Sequence, residues 1–276
     1  MLVTDQKAVT ATLFDQWDVI SRLVADLGEA QWRLPTALPG WDVHAVVAHL
    51  VGTESMLLGE PSPAADIAAA HIRNPIAAFN EQWVAALRPL PGAELAARFR
   101  AVADRRRAAL AAMTPAQWDA IAPNAPTGPD SYGGFMRTRV FDCWMHELDI
   151  RDAVGMPGDE GGPRGELAIA VLTGGLGYAV GKLGKAPAGA TVTFELSGPL
   201  ARTLHIAVTA GPNGKPRAAM VDAPTEPATV TLGLDSGLFV RLAGGRTAAA
   251  AHPGEVTVTG DPALATRLLD NLAFTI

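Results

Sequence analysis

The sequence has little cysteine and few charged residues, and both shortages exclude classes of protein. Cys143 is the only cysteine in 276 residues, so the chain can form neither an intrachain disulfide nor a metal site built from several thiolates. Such cysteine usage fits a reducing cytoplasm. Charged residues make up 18% and the formal net charge is −6, which argues against a nucleic-acid partner.

Long apolar runs are also missing. No stretch reaches the 18 or so apolar residues of a membrane-spanning helix, and the N-terminus lacks the basic and apolar regions of a signal peptide. The nearest candidate, "ELAIAVLTGGLGYAVGKLGK", is diluted with glycine and predicts a packed helix. The densest basic run, "RFRAVADRRR" at 98–107, has helical periodicity and predicts a solvated face. We therefore expect a cytoplasmic protein that binds neither membranes nor nucleic acids.

Several catalytic motifs have no match. The chain contains no G-x-S-x-G turn for a nucleophilic serine and no G-K-[ST] loop for phosphates. In "TGGLGYAVGKLG" the place of the third glycine of a dinucleotide loop is taken by Val180, and no strand precedes it. These absences remove three common enzyme classes.

What the chain does contain predicts two domains, residues 1–160 and 161–276, joined by the Gly/Pro-rich segment 155–165. Helical periodicity marks the first part, with helices at about 9–28, 42–58, 77–87, 93–113 and 134–154. In the second part, a helix at about 166–184 precedes short Val/Thr-rich strands at 190–196, 202–210, 228–234 and 255–260. Two more helices are expected, at 235–245 and 260–274. The predicted fold class is α+β, with a helical bundle first and a small α+β domain second.

The segment "FDCWMHELDI" at 141–150 carries polar residues on a helix that is otherwise apolar. At 100 degrees per residue, Arg139, Asp142, His146 and Asp149 share an arc of roughly 80 degrees. A helix that is apolar on its remaining faces should be buried, so the stripe faces either a slot of solvent or an internal site. Asp142 and His146 alone could be a surface ion pair.

The position of His49 favours an internal metal site over a surface ion pair. It lies opposite the bulky stripe of its helix, among the small residues Ala45, Gly52 and Thr53, which leaves space beside it. A carboxylate and an imidazole at i and i+4, completed by a second imidazole from a neighbouring helix, form a three-ligand set that leaves a coordination position open. The predicted metal ligands are therefore His49, Asp142 and His146, and the predicted ion is zinc.

Two of these segments resemble a known family. "LPGWDVHAVVAHLVG" and "RVFDCWMHELDIRDAVG" are similar to the signature segments of the mycothiol-dependent maleylpyruvate isomerase family, and residues 228–273 are similar to its second domain. The resemblance implies a DinB-like four-helix metal-binding bundle followed by a sterol-carrier-like α+β domain. Within it, His49, Asp142 and His146 fall on the family's metal ligands. Its isomerases usually carry Glu where this chain has Asp142, a shorter ligand arm.

The resemblance also implies a chemistry. The thiol would come from mycothiol, activated by the metal, and the reaction would be isomerisation of an activated double bond or thiol transfer to a small, anionic electrophile. Arg246 in "LAGGRT" falls where the family places a glycine-arginine element, and we expect it either to anchor the substrate's negative charge or to be an exposed turn residue. The partners are then a small substrate and a low-molecular-weight thiol, with the protein a monomer or homodimer.

Two other functions stay open at this stage. A non-catalytic metal-binding or stress-response protein would keep the three ligands but lack a group that binds anions, and a small-molecule carrier would use an apolar tunnel in the second domain. The roles of several single residues are also open at this stage. Asp149 either orients a ligand histidine or holds a helix end, Glu54 is expected to make a structural hydrogen bond, and Cys143 is expected in the core. The remaining histidines, predicted to be surface or packing residues, are His44, His71, His205 and His252.

Overall fold

The computed structural model describes residues 5–65, 67, 72, 75–122, 125, 128–211, 214–224 and 226–275. Contacts between Cα atoms divide the chain into two compact units, Met1–Gly158 and Asp159–Ile276. His71 lies outside the described residues. The first unit is helical and the second contains a sheet, which is the predicted α+β class.

The first unit contains every long helix that periodicity predicted there. Its elements are α1 (Gln6–Ala25), α2 (Glu29–Trp32), α3 (Val43–Leu57), α4 (Pro75–Leu87), α5 (Gly92–Ala111), α6 (Pro115–Asp119), the antiparallel pair β1 (Ile121–Ala122) and β2 (Asp130–Ser131), and α7 (Tyr132–Val154). The prediction missed α2, α6 and the short strand pair. Elements of two to five residues are too short to show a period.

Local capping fixes where α3 and α7, the helices of the candidate site, begin. The Asp42 carboxylate accepts a hydrogen bond from the Ala45 amide at 2.8 Å, and the Ser131 hydroxyl accepts one from the Gly134 amide at 3.0 Å. At its other end α7 stops at Gly155, whose φ of 66° is in the left-handed region that favours glycine. These signals set the register of the polar stripe.

The long helices pack around an aromatic core. Trp17, Trp32, Phe99 and Trp144 are fully buried, and α7 packs against both α1 and α3. Burial of Glu147 on α7 is accompanied by hydrogen bonds from Gln16 of α1, at 2.7 Å, and from Arg151, at 2.7 Å. The faces of α7 are thus fixed by neighbours, which leaves its polar stripe on a defined side.

Gly52 makes room for a tryptophan. A Cβ built at this position would lie 2.4 Å from Cγ of Trp83 on α4. Trp83 is 4% exposed, so it has little freedom to move away. The small residue therefore serves the close packing of α3 on α4, in addition to the space beside His49 that the sequence suggested.

We expect Gly52→Ala to destabilise the first unit. Helix propensity alone favours alanine over glycine by about 1 kcal/mol, but forcing a methyl group into a closed contact costs about 1–3 kcal/mol or more, so the steric cost should prevail. Denaturant unfolding of the variant should show a lower midpoint than that of the unmodified chain. A higher midpoint would mean that Trp83 repacks without cost.

The second unit is built on a mixed sheet. Its elements are α8 (Gly162–Thr173), α9 (Leu176–Tyr178), a π-helical turn (Ala179–Leu183), β3 (Thr191–Ser197), β4 (Arg202–Ala210), β5 (Pro216–Val221), β6 (Val230–Asp235), α10 (Ser236–Ala243), β7 (Thr257–Gly260) and α11 (Pro262–Asp270). The strand order is β5-β4-β3-β6-β7, with β3 and β6 parallel and the other pairs antiparallel. Val192, Phe194, Leu232 and Phe239 form part of its core.

Three details of the second unit differ from the prediction. Strand β5 was missed, because "PRAAMV" lacks an alternating apolar pattern and forms a mostly exposed edge that begins with proline. The single helix predicted at 166–184 is interrupted at Gly174 and Gly175. The predicted linker ends early, since α8 begins at Gly162 with a proline in its first turn.

One described helical segment, Gly162–Leu183, is long and apolar enough to cross a membrane by composition, with a mean hydropathy of 1.2. Within it, 44% of the most apolar window is buried in the protein. Core helices of globular domains have the same composition, so the segment is weak evidence for a membrane span.

Candidate metal centre

The structure brings together the three residues that the sequence proposed as metal ligands. His49 on α3 and Asp142 and His146 on α7 each present a ligand atom, and these atoms lie within 4.8 Å of one another. The Nε2 atom of His49 is 3.4 Å from Oδ2 of Asp142, and Nε2 of His146 is 3.6 Å from Oδ1 of the same carboxylate. Both imidazoles are buried and the Asp142 side chain is 32% exposed.

The two imidazole–carboxylate distances are of the size expected around a tetrahedral ion. Ligand atoms about 2.0–2.2 Å from a zinc ion lie roughly 3.3–3.6 Å from one another. His49 and His146 have this spacing to different oxygens of Asp142, and the three ligand atoms of the set lie within 4.8 Å of one another. Two imidazoles and one carboxylate are ligands that zinc accepts, and three protein ligands leave one position open. The donor set therefore suits a divalent cation that binds a further molecule.

His146 is oriented by a second carboxylate. Its Nδ1 atom is 2.9 Å from Oδ2 of Asp149, which is itself buried. Because a carboxylate only accepts, Nδ1 carries the proton and Nε2 keeps the lone pair that an ion needs. Of the two roles considered for Asp149, orientation of a ligand histidine is the one that this contact supports.

Trp41 forms a wall of the site that the sequence reading missed. Its ring centroid lies 5.3 Å from that of His49 and 6.2 Å from that of His146. The indole Nε1 donates a hydrogen bond to Glu81 on α4 at 2.6 Å, which fixes the ring. The signal was present in the sequence, since Trp41 directly precedes the Asp42 cap of the helix that carries His49.

The electrostatics keep the carboxylate charged and His49 neutral. Burial alone would raise the pKa of Asp142, but the Arg139 guanidinium and the two imidazoles outweigh it and hold the pKa well below its usual range. For His49, burial lowers the pKa despite the nearby carboxylate. A charged carboxylate and a neutral imidazole are the protonation states in which these groups bind metal.

Glu54 makes the structural contacts that were expected of it and is not among the clustered ligands. It is fully buried and accepts hydrogen bonds from Arg106 Nε at 2.9 Å and from Arg139 Nη2 at 2.8 Å.

The prediction of a solvated basic run at 98–107 is wrong for Arg106, which is 1% exposed. Its position could have been found, because Arg106 continues the apolar stripe of Phe99, Val102 and Leu110 at helical spacing.

Cys143 is buried in the core of the first unit, as expected. Burial raises the pKa of its thiol to about 12, so the thiol stays protonated at neutral pH and is a poor nucleophile. Arg139 Nη2 approaches its Sγ atom at 3.4 Å. The chain thus has no reactive thiol of its own, since this is its single cysteine.

The other described candidates are not among the three clustered residues. Arg246 follows α10 in the second unit, is half-buried, and donates a hydrogen bond to the Gly244 carbonyl at 2.7 Å. His44 packs in the core against the Leu90 carbonyl, with its Nε2 at 3.0 Å. His205 contacts Thr193 within the sheet and His252 contacts Thr247 and Glu255.

Comparison with known protein families accounts for both units. The model of the mycothiol maleylpyruvate isomerase N-terminal domain matches residues 13–151, half of the chain. The chain belongs to this family. The model of the family's C-terminal domain matches residues 166–267 in the second unit. The first match includes all three clustered residues of the candidate metal centre.

The chain is also similar to individual proteins. An uncharacterized protein of Mycobacterium tuberculosis, found in strains CDC 1551 and H37Rv, is 28% identical over 158 residues, which is 56% of this chain and 59% of that protein. The chain thus matches less than two thirds of the length of these relatives.

Crystal structures of the mycothiol-dependent maleylpyruvate isomerase share the fold. A mutant form aligns at TM-score 0.57 with 16% identity, over 94% of this chain and 96% of that one, and a second structure of the isomerase at 0.54 with 17% identity over the same shares.

Proposed function

We propose that this protein binds one divalent cation, zinc, through His49, Asp142 and His146, and acts with mycothiol as an isomerase or thiol transferase on a small, anionic electrophile. The observation that carries the proposal is the cluster of three potential ligand residues, which lies in the N-terminal domain of a family named for mycothiol. Three protein ligands would leave one position of a tetrahedral ion open. Membership of this family favours the isomerase.

The residues of the first unit suit this role. When bound, a divalent cation lowers the pKa of a thiol or water molecule at its open position. His146 is held with its Nε2 atom directed to the cluster, Asp142 supplies negative charge, and Trp41 covers one side of both imidazoles. The buried, protonated Cys143 is unsuited to be the nucleophile, which supports an external thiol.

Arg246 is our proposed anchor for a negatively charged substrate. A guanidinium binds carboxylates through paired hydrogen bonds, and its charge persists at any physiological pH. The proposal rests on its position in the family's C-terminal domain, since Arg246 falls within residues 166–267.

Calorimetric titration of the zinc-loaded protein with mycothiol tests the proposal. We expect saturable binding to the unmodified protein and its loss in His49→Ala, because a thiol held by the cation cannot bind when the cation is lost. His252→Ala is the matched control, since this histidine lies in the second unit and contacts only residues outside the cluster in the described contacts.

The titration distinguishes the competing functions. Binding that persists unchanged in His49→Ala would place the thiol away from the cluster. No binding to a protein that does hold zinc would favour a non-catalytic metal-binding protein or a hydrolytic enzyme in which water occupies the open position.

A further inference from the structure

A chain of buried charges ends at the candidate metal ligands. Arg106 on α5, Glu54 on α3 and Arg139 on α7 are 1%, 0% and 3% exposed. Glu54 accepts hydrogen bonds from both arginines, and Arg139 also donates one to Asp142, which is the most exposed member of the chain. The order of contacts is therefore Arg106, Glu54, Arg139, Asp142.

The guanidinium of Arg139 is fixed on two sides. Its Nε and Nη2 atoms both donate to Oε1 of Glu54, at 3.2 Å and 2.8 Å, while Nη1 donates to Oδ2 of Asp142. Because the guanidinium is planar and rigid, fixing one edge on Glu54 sets the direction in which Nη1 points. The position of the Asp142 carboxylate thus depends on a buried residue of another helix.

Such a network is a costly way to stabilise a fold. Taking charges out of water costs several kcal/mol per ion, and replacing buried ion pairs by apolar residues of similar size is often neutral or stabilising. The network joins three helices, yet apolar residues would join them as well. A role at the candidate metal centre explains why this position holds buried charged residues, because their chain of contacts leads to Asp142, a proposed metal ligand.

We infer that Arg139 is a positioning residue of the metal centre, which holds the Asp142 carboxylate toward the Nε2 atoms of His49 and His146 while Glu54 fixes Arg139 and offsets its charge. The inference rests on the proposed metal centre. The two carboxylates and the two guanidinium groups of this network are together neutral, and Glu54, which lies between Arg106 and Arg139, separates their positive charges.

The test compares two arginines that share the same carboxylate. Arg139→Lys keeps the charge but loses the fork that connects Glu54 to Asp142, whereas Arg106→Lys loses an equally buried contact to Glu54 and leaves Asp142 untouched. Zinc affinity is measured by competition with a chromogenic chelator, and ligand geometry by the visible spectrum of the cobalt-loaded proteins. We expect Arg139→Lys to weaken zinc binding by about 10–100-fold and to alter the cobalt spectrum. Arg106→Lys should stay within about twofold of the unmodified protein and keep its spectrum.

A third variant guards against a folding defect in Arg139→Lys. The triple change Glu54→Leu, Arg106→Met and Arg139→Met replaces the whole buried network by apolar residues, an exchange that proteins often tolerate. It leaves all three ligands in place but removes the contact to Asp142. We expect it to fold, as judged by circular dichroism, and to bind zinc as weakly as Arg139→Lys.

The possible outcomes separate this inference from the proposed function. If the unmodified protein binds no zinc, the metal centre and the role of Arg139 are both overturned. If it binds zinc and the Arg139 variants bind equally well, only the positioning role is overturned. Equal losses in Arg139→Lys and Arg106→Lys would show that the network acts through general stability, which also overturns the positioning role.

Discussion

Replacing His146 with alanine should abolish stoichiometric zinc binding. The change removes one of the three proposed ligand atoms and leaves His49 and Asp142, 3.4 Å apart, as the remaining pair. Loss of residues that merely support ligands already costs 10–100-fold in metal affinity, so loss of a ligand should exceed about 100-fold. Metal content after dialysis and the dissociation constant from chelator competition measure the effect.

Two comparisons make this result specific to the cluster. His205→Ala removes a histidine of the second unit that contacts Thr193, and it should leave zinc content unchanged. His49→Ala should reproduce the loss from the other helix. Wild-type zinc content in His146→Ala would show that the ion binds elsewhere.

Replacing Glu54 with leucine should destabilise the first unit by about 3–5 kcal/mol, because removing one partner of a buried ion pair leaves an uncompensated charge. Here Arg106, which is 1% exposed, would keep contacts to Tyr132 and Met136 but lose its carboxylate. Urea unfolding gives the free energy of unfolding. The control is Asp104→Asn on α5, the helix that carries Arg106. The Asp104 side chain is 79% exposed, so the change should alter the free energy of unfolding by no more than about 0.5 kcal/mol.

A small effect of Glu54→Leu would have a definite meaning. A loss below about 1 kcal/mol would show that solvent or rearranged neighbours compensate both arginines. The triple apolar variant should be much more stable than the single change, because neither arginine remains as a buried charge without the Glu54 carboxylate. That difference separates the cost of an unpaired charge from the loss of packing.

The candidate ligands could be found from the sequence because each obeys a local rule. Asp142 and His146 are four residues apart on a helix, which places both on one face, and the apolar residues around them indicate burial. His49 was found from the small residues on its side of α3. That Asp149 contacts His146, at three residues' distance on the same face, follows from the same periodicity.

Residues whose roles depend on other helices were harder to find. Arg106 was assigned to a solvated face, although it is buried, because a dense basic run on a helix is usually exposed. Its carboxylate partner is 52 positions away in the sequence. The sequence indicated that Gly52 leaves space beside His49, whereas the structure also shows Trp83 packed against Gly52.

The sequence by itself determined the α+β class, the long helices, most strands and the three residues of the candidate metal centre, because periodicity, capping and i, i+4 spacing act within a few turns of chain. Only the tertiary structure decided that Arg139 connects Asp142 to Glu54, that Trp41 covers both imidazoles, and that β5 forms an edge of the sheet. These contacts join segments far apart in the chain. Their geometry follows from how helices and strands pack, which no local pattern encodes.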